Sequence, residues 1–118
     1  MGLGKKMMSD LKQSRLCRAI GLIFDYDEHW LNFFFSHKRA ELRESPAEMI
    51  KEACCYSHGE QIKIRVALDL WTMQNHVSIA EIVETLDFDN LCRVVLAIMM
   101  IREISVCNLE ELQSQYEV

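Results

Sequence analysis

A chain of 118 residues, half of them apolar and 26% charged, has the length of one domain and enough material to bury its own core. The formal net charge is −5, and it is spread unevenly: residues 1–43 hold eight Lys/Arg against five Asp/Glu, residues 44–118 five against thirteen. An acidic body argues against broad binding along a phosphate backbone, which needs a concentrated positive surface.

One Pro and four Gly leave little material for turns, so long regular elements with short connections are expected. The five cysteines, Cys17, Cys54, Cys55, Cys92 and Cys107, are odd in number and contain no C-x-x-C. They read as reduced thiols in a cytoplasmic protein. No apolar stretch follows the basic start as in a secretory signal, and Lys6 stands where N-myristoylation wants Ser or Thr. The longest uninterrupted apolar run, Val94–Ile101, is too short to span a bilayer.

In chain order, residues 1–8 read as a frayed start. Ser9 can cap a helix to about Phe24, with Leu11, Leu16, Ile20, Ile23 and Phe24 at roughly helical spacing. Lys12, Arg15 and Arg18, three apart, line one side of it. They are either a solvated face or a patch for an anionic partner. Asp25 and Glu28 resemble a capping box, and a second helix is expected from Tyr26 or Asp27 to about Leu42. Trp30, Leu31, Phe33, Phe34 and Phe35 give it a broad aromatic face, suited to a core or an interface alike.

Ser45-Pro46-Ala47-Glu48, Ser57-His58-Gly59-Glu60 and Ser78-Ile79-Ala80-Glu81 are three helix starts of one type. In each, the serine caps and the glutamate three residues on can reach back. The helix after Ser45 should end near Cys55. The helix after Ser57 runs to about Met73 and carries two apolar stripes: Ile64, Ala67, Leu68, Trp71 and Ile62, Val66, Leu70, Met73. Arg65 and Asp69, four apart, can pair on its polar side. A short helix Ile79–Leu86 should turn Ile82, Val83 and Leu86 inward. Asp87 or Asp89 can cap the last long helix, Leu91–Ile104, where Arg93 is the only polar residue up to Ile101. A helix apolar almost all round must be covered by the rest of the chain or by a second copy of it. Residues 106–118 turn polar and are expected to fray, although Asn108-Leu109-Glu110-Glu111 can start a short helix.

Little in the chain points to chemistry. Cys54, Cys55 and His58 come nearest to zinc-ligand spacing, but the Ser57 helix start falls between them, so no metal site and no cofactor is expected. No nucleophile elbow or phosphate-cradling glycine loop occurs, and the acidic clusters coincide with helix starts. The chain is therefore read as a non-enzyme. The order long helix, short helix, turn, long helix over residues 57–104 resembles a helix-turn-helix in outline. In that fold the last helix shows polar and basic side chains to base edges, whereas here Leu91–Met100 offers only Arg93.

The expected architecture is an all-α, single-domain orthogonal bundle of five or six helices around a buried helix at 91–104. The expected function is a small interaction or regulatory protein (adaptor, regulator or inhibitor) that self-associates as a homodimer through apolar helix faces. Trp30, Phe34, Met99 and Met100 are the interface candidates. One alternative is a nucleic-acid-associated transcriptional regulator with a degenerate helix-turn-helix at 57–104, using Lys12, Arg15 and Arg18. Another is a helical sensor for an apolar ligand or haem, with His29 or His37 as ligand.

Overall fold

The computed structural model describes residues 15–36, 41–102 and 106–116. Among them the chain forms α1 (Arg15–Ile23), α2 (Glu28–Phe34), α3 (Pro46–Glu52) with a 3-10 turn Ala53–Cys55, α4 (His58–Thr72), α5 (Ile79–Thr85), α6 (Phe88–Ile101) and α7 (Val106–Gln115). The fold is all-α, with no strand among the described residues beyond one isolated bridge between Phe35 and Leu42. None of these helices is long and apolar enough to cross a membrane.

Local hydrogen bonds open the helices where the sequence places them. Ser57 Oγ accepts from Glu60 N at 3.2 Å, and Glu60 Oε1 accepts from Ser57 N at 3.1 Å. Ser78 and Glu81 repeat both bonds at 3.1 and 3.0 Å. Ser45 Oγ takes Glu48 N at 3.3 Å, and Asp87 Oδ1 takes Asn90 N at 2.9 Å. Each bond satisfies one of the amide donors that a helix start leaves without a partner.

The centre of the fold is α4, not the helix at 91–104. It touches α1, α3, α5 and α6, and Ile62, Ile64, Val66, Ala67 and Leu68 are buried along it. The late helix starts earlier than expected, at Phe88, and packs chiefly on α1. Ala19 on α1 and Ala97 on α6 are small residues with no exposed surface. Only Val94, Ala97 and Met99 of α6 are buried, so within one subunit the expected buried helix at 91–104 is covered in part only. The apolar surface of α6 exceeds what its neighbours cover. Val83 is likewise 58% exposed rather than inward. Residues 106–115, expected to fray, form the regular helix α7.

Two residues in the left-handed region, Asp25 (φ 54°) and Tyr26 (φ 53°), terminate α1. Such backbone costs roughly 1–2 kcal/mol per non-glycine residue. Three contacts offset it: Tyr26 N donates to Gly21 O at 2.7 Å, Tyr26 Oη donates to Arg18 O at 3.0 Å, and Asp25 Oδ1 meets Arg93 Nη1 at 3.0 Å. The Tyr26 ring lies so close over Gly21 that a Cβ there would stand 2.4 Å from Cε1. Partial burial pushes the phenol above its ordinary range, with Arg18 pulling the other way. Gly21→Ala is therefore expected to expel the ring into water. Net stability should change little, because alanine regains about 1 kcal/mol of helix propensity. The sharper readout is a tyrosinate absorbance titration, in which one phenol should fall back toward about 10. A raised pKa keeps the neutral phenol in the fold. Its contribution is thus fully present below about pH 10 and fades as pH rises through the folded value.

α2 ends at Phe34, eight residues before the expected Leu42, and Asp27 rather than Asp25 caps it. Phe33, Phe34 and Phe35 are all buried, and continuing the helix would swing one of three consecutive rings away from the core. The chain instead goes extended at Phe35, whose ring reaches Trp71 at 5.6 Å. Arg43 then returns beside the helix end. Its backbone N donates to Phe34 O at 2.8 Å, its Nε to Phe33 O at 3.0 Å and its Nη2 to Glu52 at 2.7 Å. The Arg43 hydrogen bond holds the Glu52 carboxyl below its ordinary range. That contribution is present above about pH 4.3 and is lost as pH falls through the depressed value.

The expected Arg65–Asp69 pair gives way to another arrangement. Asp69 turns to the loop after α4, accepting from His76 N at 2.8 Å and Val77 N at 3.2 Å, with the His76 ring at 2.5 Å. Arg65 reaches His76 O at 3.4 Å. Two backbone donors and an imidazole outweigh a surface ion pair worth a few tenths of a kcal/mol.

Candidate protein-docking face

α6 has two unlike sides. The side toward α1 and α4 is sealed by Val94 and Ala97, with Leu91, Met100 and Ile101 half-buried against the core. The other side exposes Phe88 at 79%, Val95 at 45%, Leu96 at 43% and Ile98 at 45%. These positions fall within one arc of the helix, which also holds Leu91, half-buried against the core, the half-buried Cys92 and the buried Met99. On α5, Ile79 and Val83, four apart, are exposed as well. Single exposed leucines and isoleucines are ordinary on any surface. Four exposed large apolar side chains on one flank of a single helix are not, and such patches mark docking sites. Apart from this face, a cavity of about 520 Å³ between the start of α4 and the α5–α6 turn is lined by Ser57, Glu60, Lys63, Thr85, Asp87 and Asn90. Burial lowers the Lys63 amine below its ordinary range, and its Nζ sits 4.9 Å over the Phe24 ring.

The residues singled out from sequence lie elsewhere. Phe34 is fully buried and Met99 is 8% exposed. Trp30 and Met100 are half-buried against the same core. Trp30 stacks on Phe24 at 4.9 Å and meets Tyr56 at 4.8 Å. Phe34 and Met99 are thus enclosed within the subunit, while Trp30 and Met100 keep part of their surface open. Helical spacing identifies an apolar stripe but not which stripe a neighbour covers. On a helix apolar almost all round, spacing alone does not separate Val95, Leu96 and Ile98 from their covered neighbours, and Phe88 lies before the expected start at Leu91. The available signal was the run of three exposed residues between the buried Val94 and Met99, broken only by Ala97, and it needs the fold to be visible.

Of the basic patch, Arg15 is exposed, Arg18 is half-buried and its carbonyl accepts from Tyr26, and Lys12 lies outside the described residues. Arg93, the lone polar side chain between Leu91 and Ile101, is held by Asp25. His29 is exposed with its Nε2 3.2 Å from Tyr56 Oη, and His37 lies outside the described residues. Among the described residues, no three His, Cys, Asp or Glu side chains converge as a metal site. Cys54, Cys55 and His58 are all exposed. Compared with protein-family models, curated proteins and solved structures, the chain matches none, so the case for function rests on its own geometry.

Proposed function

We propose that this chain is a non-enzymatic interaction protein, an adaptor, regulator or inhibitor, that docks another polypeptide on the exposed side of α6. One observation carries the reading: Phe88, Val95, Leu96 and Ile98 stand in water on a helix whose opposite side is already sealed. Burying one such side chain is worth about 1.5–3 kcal/mol, so a partner covering four gains a substantial drive. The same residues count against a helix-turn-helix reading, because a helix in the major groove presents hydrogen-bonding groups to base edges.

Photo-crosslinking tests the proposal. A benzophenone amino acid in place of Leu96 should give a discrete adduct, identified by mass spectrometry, while the same group at exposed Glu48 on α3 should give none. Silence at position 96 would sink the docking reading. In parallel, Val95→Glu with Ile98→Glu should leave the helical circular dichroism intact and cost the fold less than about 1 kcal/mol, the range of surface changes.

A further inference from the structure

We propose that the occupant of the α6 face is α6 of a second copy of this chain, packed antiparallel about a two-fold axis. This rests on the docking reading above. Phe88, Leu91, Val95 and Ile98 are spaced three, four and three apart, the repeat that aligns paired helices along one seam. Arg102 follows four residues on, continues the seam and is exposed. Glu103, next in sequence, lies outside the described residues.

The two ends of the seam carry opposite charge. Asp87 and Asp89 are exposed at the start of α6, and Glu84 is exposed at the end of α5. Laid antiparallel, each Arg102 falls at the acidic start of the other copy. There its guanidinium also meets the exposed ring of Phe88, a cation–π geometry. The helix dipoles oppose as well. A parallel pair would set Arg102 against Arg102 and carboxylates against carboxylates. A two-fold interface requires one patch to complement itself, and a stripe that is apolar in the middle with opposite charges at its ends does so.

Sedimentation of the full chain over roughly 1 to 200 µM, the range of modest homodimer affinities, tests this. The expected result is a dimer that Val95→Glu converts to a folded monomer. Arg102→Glu should raise the dissociation constant roughly fivefold or more, since the exchange acts at two symmetric contacts with the Asp87 end of the other copy. Asp87→Asn, which keeps a helix-capping side chain, should recover part of the affinity when added to Arg102→Glu, because it removes the new repulsion. A chain that stays monomeric, or a dimer indifferent to Val95→Glu, overturns the proposal. A double variant no tighter than Arg102→Glu alone overturns the antiparallel register. A monomer that still crosslinks from position 96 to a different protein removes the second copy but leaves the docking reading standing. A monomer that crosslinks to nothing removes both.

Discussion

Phe34→Ala is expected to remove about 3–5 kcal/mol, the usual cost of deleting a buried phenylalanine, and to leave the chain largely unfolded at moderate denaturant. A domain of this size has only about 5–15 kcal/mol in total, so the loss is a large share of its stability. Phe34 is fully buried, with its ring centroid 5.2 Å from Phe24, 5.3 Å from Phe33 and 6.3 Å from Phe35. Alanine there opens a cavity among rings pinned by their own neighbours, which limits collapse into the gap. Phe34→Leu refills most of the volume and should cost much less. Urea unfolding followed by circular dichroism checks both. The midpoint of the alanine variant should shift equally at every protein concentration, because the loss lies within one subunit. If Phe34→Ala kept the midpoint and only separated subunits, Phe34 would belong to an interface after all.

Asp69→Ala should be the next most damaging change, at about 2–4 kcal/mol, although its site is a loop rather than the core. The carboxylate is the acceptor for His76 N and Val77 N and touches the His76 ring, and its side chain is only 16% exposed. Alanine leaves two sheltered amide donors without a partner, and each costs about 1–3 kcal/mol. The segment also begins from Met73, held in the left-handed region at φ 57°, so it has little else to stabilise it. Hydrogen exchange at the His76 and Val77 amides should accelerate by orders of magnitude in the variant. Unchanged exchange at both would show that Asp69 does not hold the loop. Asp69→Asn, which keeps one oxygen acceptor, should fall between. Because the loop joins α4 to α5, the alanine variant should also weaken any complex that uses Ile79 and Val83, while Val95 and Ile98 stay in place.

The helix starts were legible from sequence because their causes are local. Ser45, Ser57, Ser78 and Asp87 each bond to an amide three residues on, and no other part of the chain is needed for that bond. The apolar stripes of α4 were legible for the same reason, since helical periodicity is a property of neighbours in sequence, except that Met73 lies past the helix end and is 72% exposed. The end of α2 was not. Phe33, Phe34 and Phe35 read as helix by spacing, yet the helix stops where Arg43, nine residues beyond Phe34, returns to take its carbonyl. Asp69 was equally opaque, with Arg65 four residues away and His76 seven residues away as rival partners.

The composition and spacing of the residues are enough to specify an all-helical chain and where most of its helices begin, because those choices are settled by hydrogen bonds and periodicities within a few residues. They do not specify which flank of α6 meets water. Val94 and Val95 are the same amino acid one position apart, one buried and the other nearly half exposed. What separates them is the placement of α1 against a single side of the helix, a packing decision made between segments some seventy residues apart.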